Sequence, residues 1–266
     1  MKISLIMPVF NEEKYLTKSL NALMNQTLRP TQIIIVDDGS TDGTREIISK
    51  YKNVQLVRLP TEKKSMIERV PYVLAKGSRL LDDFDYVAVL DGDTILEPEY
   101  YEKLAAKLEE DHKIGIACGK LNGPGASGGL MLGLIPYVYG CNRLYTRKCW
   151  LKINDGKTMK PVPVWDFYHN VYAEMLGFQT KRLDDILSWA LRPPGFKKDF
   201  FKGYTSYQLG YYGYFLLFRA VRNRSPGLIA GYLKARFSDE TEYPIKPYVR
   251  YLQTYRIRKL IKKIIP

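Results

Sequence analysis

The chain has 266 residues, an ordinary apolar fraction of 45%, and a formal net charge of +13. That length buries a sizeable core for one domain, or for one domain with an appendage. Three cysteines, Cys118, Cys141 and Cys149, stand at no metal-ligand spacing, which argues against a disulfide framework and predicts a reducing compartment. Met1-Lys2 leads straight into the strand-like Ile3–Met7, so no signal peptide is expected. The charge is uneven. Residues 1–140 hold 17 Lys+Arg against 19 Asp+Glu, whereas residues 141–266 hold 24 against 9. The second part therefore faces a phosphate-bearing substrate, an anionic membrane or nucleic acid, unless it is only a solvated basic surface.

In chain order, ISLIMPVF at 3–10 reads as a first strand, after which Asn11-Glu12-Glu13 predicts a capped helix through about Asn25 with Leu16, Leu20 and Leu23 as its stripe. Ile33–Val36 reads as a second buried strand ending in the turn-rich Asp37–Thr44, where Asp42 is an expected N-cap for a helix over 45–50. A strand over 54–59, a helix over 65–81, a strand at 85–90, a helix over 98–110 and a strand over 114–118 follow. This alternation is that of parallel βαβ units, so residues 10–13, 37–44 and 91–94 should converge on one sheet edge. Residues 121–142 carry no charge and six glycines; with Pro124 and Pro136 among them they read as a substrate-facing loop and strand rather than a membrane span. Trp165–Leu176 reads as a helix ended by Gly177. Tyr204–Val221 is an aromatic and aliphatic run too short for a confident span. Residues 245–265 interleave tyrosine, leucine and isoleucine with Arg250, Arg256, Arg258, Lys259, Lys262 and Lys263, the pattern of a basic amphipathic helix on anionic lipid or of one packed on the domain.

The centre of the chain is Tyr86–Leu90 followed by Asp91-Gly92-Asp93. Two carboxylates flanking a glycine at a buried strand's end repel each other unless a cation sits between them. Gly92 is expected to let the backbone turn so that both acids aim at one hard divalent ion, whose remaining oxygens a substrate phosphate can supply. The competing reading is a turn with solvated acids.

IMPVFNEEKYL, VDDGSTDGT and VLDGDT, in that order and spacing, resemble the family 2 glycosyltransferases of the GT-A fold. GCNRLYTRK and VWDFYHNVYAEMLGF are similar to that family's acceptor-side loop and base-bearing helix. The resemblance implies a Rossmann-like, mostly parallel α/β sheet flanked by helices, with a catalytic domain at 1–200. A helical, aromatic and basic extension at 201–266 looks like the membrane-associating piece of bacterial and archaeal-type members. It further implies that Pro8, Phe10, Glu12, Asp38, Asp91 and Gly92 hold the nucleotide, with Asp38 toward the base. Arg69 is implied beside it, with Lys63 and Lys64 as competitors, although Val70 stands where the family commonly has Asn. Asp93, with Asp91, would hold Mn2+ or Mg2+; His169, one helical turn after Asp166, is a further candidate ligand or a satisfied core histidine. Asp166 matches the base, although Trp165 precedes it where many members have an acid. Asn142, Arg143, Trp165 and Arg192 are candidate acceptor or phosphate contacts, with Lys197 and Lys198 beside Arg192.

The expected activity is inverting, metal-dependent transfer of a sugar from a nucleoside-diphosphate sugar to a sugar or lipid-linked hydroxyl. The expected location is the cytoplasmic face of the cell membrane. Two alternatives compete. A sugar nucleotidyltransferase would want a glycine-rich signature after the first strand, which is missing, and a nucleic-acid binder would want a recognisable module, of which there is none.

Overall fold

A computed structural model describes residues 1–60, 66–124, 138–162, 164–192, 199–222, 224–238, 245–251 and 253–254, with the backbone alone at 66–68, 201 and 222. It forms two compact units, Met1–Pro194 and Gly195–Pro266. Lys63, Lys64, Lys197, Lys198 and most of the expected helix over 245–265 lie outside the described residues.

The first unit opens with β1 (Ile3–Val9), α1 (Leu16–Met24), β2 (Gln32–Asp37), α2 (Thr44–Ile48), β3 (Gln55–Arg58), α3 (Met66–Ser78) and β4 (Tyr86–Leu90). It continues with β5 (Thr94–Leu96), α4 (Tyr100–Glu110), β6 (Ile114–Asn122), β7 (Asn142–Thr146), α5 (Arg147–Asn154), α6 (Trp165–Met175) and β8 (Gln179–Ala190). The described strands form one mostly parallel sheet in the order β3-β2-β1-β4-β7-β6-β8-β5. β1 pairs in parallel with β2 and β4, β2 with β3, and β6 with β8. β7 runs against both of its neighbours, with Leu90 opposite Asn142 and Tyr86 opposite Thr146.

Both faces of the sheet are covered, which is why its strands read as unbroken apolar runs. Ile3, Leu5, Met7 and Val9 pack on one face with Leu16, Leu20 and Leu23 of α1 and Leu104 and Leu108 of α4. Ile6, Ile34, Val36, Val87 and Val89 pack on the other with Val73 and Leu74 of α3 and Trp150 and Ile153 of α5. The period of two along the strands and the 16/19/20/23 burial of α1 are the geometry of a strand and of a helix with one inward stripe.

Local chemistry departs from expectation at two caps. Asn11 does not cap α1, which begins at Leu16 behind Tyr15; its φ is 51° and its Oδ1 accepts from the Thr41 amide at 2.9 Å, tying the first two strand-end loops together. Asp42 lies one residue before the Gly43 cap of α2, accepting from the amides of Thr44 and of Glu13, both at 3.1 Å. β5, α5 and β8 are elements that the strand–helix reading did not contain.

The second unit holds α7 (Asp199–Gln208), α8 (Gly213–Arg222) and α9 (Pro226–Arg236). The aromatic run over 204–221 is therefore two helices, parted at Gly210 with φ 82°. A Cβ at Gly203 or Gly231 would lie about 2 Å from a carbonyl oxygen of Leu228 or Phe200, so glycine is what lets α7 and α9 touch backbone to backbone. No helix among the described residues is long and apolar enough to cross a membrane.

Candidate active site

Parallel strands deliver their last residues to one edge, and that edge collects acids. β1 hands over Phe10 and Glu12, β2 hands over Asp37 and Asp38, and β4 hands over Asp91 and Asp93. The Asp91–Thr94 turn is held from three sides. The Asp91 amide donates to the Cys141 carbonyl at 3.0 Å, the Ser19 hydroxyl of α1 donates to the Thr94 carbonyl at 2.7 Å, and the Leu191 amide donates to the Asp93 carbonyl at 2.9 Å. Gly92 serves here by its size, not by a left-handed turn: a Cβ would lie 3.1 Å from Val9 and 3.2 Å from the Glu12 side chain.

The carboxylates perturb one another. Burial first, then the charges of Asp93, Glu12 and Asp166, push the Asp91 carboxyl up to about 7. Burial pushes Glu12 up to about 7 as well, against the pull of Arg192, and raises Asp93. Arg192, which follows β8, is the cation among them. Its guanidinium pairs with Glu12, lies 3.2 Å from Asp93 Oδ2 through Nε, and sits 5.6 Å from the Tyr15 ring centre. Sequence reasoning placed Arg192 on a phosphate; the structure gives it to carboxylates.

Asp38 and Arg69 are brought together, the guanidinium engaging both carboxylate oxygens and donating to the Asp38 carbonyl at 3.1 Å. Behind them Asp37 is fully buried, accepting from the Ser40 amide at 2.9 Å and from Arg45 at 2.7 Å. Pro8 lies within β1, opposite Val36, and Phe10 is 47% exposed at the rim.

On the other side of Asp91, α6 begins at Trp165 and places Asp166 in its first turn. Asp166 is within electrostatic reach of Asp91. The residue that fixes this turn is Arg143, a role no spacing announces. It is fully buried, donating to the carbonyls of Tyr139 and Val138 at 2.8 Å, to Asp166 O at 3.2 Å and to the Tyr145 hydroxyl at 3.0 Å, while stacking 4.8 Å from the Trp165 ring centre. Gly140 lies against the same turn, where a Cβ would be 3.2 Å from the Asp166 Cβ.

Arg143 and Asn142 are therefore corrected from acceptor contacts to internal supports. Asn142 is also fully buried, its amide donating to Ser188 Oγ at 2.7 Å. Of the two readings of His169, ligand or core histidine, its surroundings are those of the second. It is fully buried, its Nδ1 lies 2.9 Å from the Tyr145 hydroxyl, and the rings of Tyr145, Trp150, Trp165 and Tyr168 surround it. Burial and the Arg143 charge hold its pKa well below the usual value, so it is a neutral core histidine. Trp165 is buried as well, between Arg143 and His169.

The sequence of residues 4–160 matches the model of "Glycosyl transferase family 2". The chain belongs to that family. Among curated relatives, the chain is 34% identical over 119 residues to glycosyltransferase GlyA of Streptococcus pneumoniae, covering 44% of this chain and 16% of that protein. It is 33% identical over 119 residues to the poly(ribitol-phosphate) beta-N-acetylglucosaminyltransferase TarS of Staphylococcus aureus, covering 42% and 20%. The match thus spans about a fifth of each relative's length or less. Among solved structures, S. aureus TarS 1-349 superposes with a TM-score of 0.60 at 20% identity, covering 90% of this chain and 73% of that one. A mannosyltransferase of Pyrobaculum calidifontis, solved with GDP-Man and Mn2+, superposes at 0.56 with 17% identity, covering 92% and 67%. At these identities the superpositions establish the shared GT-A fold.

Proposed function

We propose that this glycosyltransferase moves a sugar from a nucleoside-diphosphate sugar to an acceptor hydroxyl with inversion at the transferred carbon, Asp166 acting as base. The observation that supports this reading is the gathering of Glu12, Asp91 and Asp93 at one strand edge, with Asp166 within electrostatic reach of Asp91. Burial raises all three carboxyls, and the charges of Asp93 and Glu12 raise Asp91 further; they are hard oxygen donors of the kind a divalent cation takes, although no three acidic, histidine or cysteine side chains among the described residues already stand as a closed metal cluster. Asp93, with Asp91, would hold Mn2+ or Mg2+, and such an ion neutralises the charge that develops on a departing nucleoside diphosphate.

The remaining chemistry belongs to side chains. Asp38 and Arg69, locked in one pair, offer the nucleoside a fixed polar edge beside Pro8, Phe10, Glu12 and Gly92. Arg192 supplies a positive charge that a bound diphosphate can recruit from Glu12 and Asp93. Asp166 takes the proton of the attacking hydroxyl, because an alcohol is a weak nucleophile at neutral pH. Attack from the side of Asp166, away from the departing diphosphate, inverts the configuration. Arg143 holds the main chain of Asp166 and thus the base's position.

The acceptor is proposed to be a sugar or lipid-linked hydroxyl presented at an anionic membrane surface, on the cytoplasmic side. Two features of the second unit support this. Residues 195–266 carry 15 Lys+Arg against 4 Asp+Glu. One face of α8 presents Tyr214, Leu217, Phe218 and Val221 at successive helical turns, each more than half exposed. An apolar stripe amid cations suits an interface of anionic lipid.

A thermal-shift panel of nucleoside diphosphates with and without Mn2+ tests the donor site. A ligand at about a hundred times its Kd stabilises by ~2.7 kcal/mol. The expected result is a Mn2+-dependent shift for one nucleotide, lost in Asp93→Asn and kept in Asp166→Asn, with transfer lost in both. Nucleotide binding indifferent to metal and to Asp93 would remove the metal role; turnover retained by Asp166→Asn would reassign the base.

A further inference from the structure

A second charged cavity lies away from the carboxylate edge. It is an open depression of about 470 Å3 between the last turns of α3 and the segment that follows α5. α3 (Met66–Ser78) carries Arg69, beside Asp38, in its first part and ends at Ser78. Arg79 is ten residues beyond Arg69, a rise of about 15 Å along the helix direction. The cavity therefore sits toward the opposite end of the strands from Asp91 and Asp93.

Its chemistry is cationic. Lys76 and Arg79 come from the α3 side, and Lys157 and Lys160 from the facing segment. Asp155 is the acid among the lining residues; it is 4.0 Å from Lys160 Nζ, with its side chain 91% exposed. Among the described residues Lys76, Arg79 and Lys157 form no ion pair. Lys76 lies over the Tyr72 ring at 5.0 Å, and Lys157 Nζ reaches the Asp82 carbonyl at 3.4 Å.

The walls are fixed although the charges are not spent. The Met159 amide donates to Ser78 Oγ at 2.7 Å, Trp150 Nε1 donates to the Lys157 carbonyl at 2.8 Å, and the Lys160 amide donates to Asn154 Oδ1 at 3.2 Å. Lys160 is offset by Asp155, whereas Lys76, Arg79 and Lys157 leave a positive balance around one concavity, and like charges repel unless an anion joins them. A rigid frame that nevertheless presents them together is the arrangement of a binding site.

We propose that this cavity binds a phosphate-bearing group, independently of the donor site and without a divalent cation. Two lysines, an arginine and a third lysine converging from two walls suit the several oxygens of a phosphomonoester or diphosphate, with Arg79 able to engage two of them at once. The volume admits a group larger than a single inorganic ion.

The test is calorimetric titration of the full chain with sodium pyrophosphate in EDTA, paired with sedimentation on vesicles of phosphatidic acid in phosphatidylcholine. Saturable binding of either probe is expected, weakened at least tenfold by Lys76→Ala/Arg79→Ala and by Lys157→Glu, and unchanged within twofold by Lys107→Ala on the exposed face of α4. Binding of pyrophosphate identifies a free phosphate ligand, and binding of the vesicles alone, with the same losses, identifies a lipid head group. Lys157→Glu, on an exposed side chain, guards against a misfolded double variant. Binding of neither probe, wild-type affinity in both the α3 and Lys157 variants, or loss in Lys107→Ala would overturn the proposal. The donor-site reading is read separately by its Mn2+-dependent nucleotide shift, which these cavity variants leave intact.

Discussion

Asp91→Asn should make the metal-free protein more stable while disabling its chemistry. The Asp91 carboxyl is pushed from its ordinary 3.8 up to about 7, by burial first and then by Asp93, Glu12 and Asp166. Folded Asp91 thus keeps its proton to about pH 7, whereas the unfolded chain releases it near 3.8, so the wild type loses stability as pH rises between those values. An amide removes that loss. At ~1.4 kcal/mol per pH unit the ceiling is ~4 kcal/mol, and partial exposure with Arg192 nearby reduces it to about 1–2 kcal/mol. For a chain of this size that is a rise in Tm of about 2–8 °C. Melting curves in EDTA should show a gap between variant and wild type that opens above about pH 4 and levels off above about pH 7. The same variant should lose Mn2+-dependent stabilisation by nucleotide. A gap independent of pH, or destabilisation that grows with pH, would refute the mutual repulsion on which the donor site is argued.

Arg143→Lys replaces a buried fork bonded to three carbonyls and a hydroxyl by one ammonium, and should cost about 2–4 kcal/mol in denaturant unfolding, with a loss of kcat. Gly140→Ala puts a methyl group 3.2 Å from Asp166 and should lower kcat by about tenfold with donor affinity unchanged. Steady-state kinetics with donor and acceptor varied separately would check it. Leu217→Glu/Phe218→Glu should leave soluble-acceptor turnover intact and weaken sedimentation with anionic vesicles. Unaltered sedimentation would free α8 from any lipid role.

The donor side was legible because parallel strands impose it. Once Ile3–Val9, Gln32–Asp37 and Tyr86–Leu90 read as buried strands, Glu12, Asp38, Asp91 and Asp93 had to share an edge. The acceptor side was less so. Asn142 and Arg143 have the polar character of ligand contacts, but carbonyls from two separate segments, 138–139 and the first turn of α6, enclose Arg143, and no local pattern encodes such a meeting. Arg192 lies about a hundred residues from Asp93 and farther from Glu12, so their pairing has no spacing signature. Asn11 has the composition of a helix cap, yet its left-handed backbone serves the neighbouring loop. Gly92 was expected on grounds of turning, and the decisive constraint was the room left by Val9 and Glu12.

The reversed direction of β7 has a consequence for how such a protein can change. β6 ends and β7 begins at the edge that carries Asp91, so the chain from Asn122 to Asn142 leaves the sheet and re-enters it on the same side. Residues can be added or removed between those points without shifting the register of β1, β2 or β4. Length can thus vary between β6 and β7 while the strand ends that carry Glu12, Asp38, Asp91 and Asp93 stay as they are.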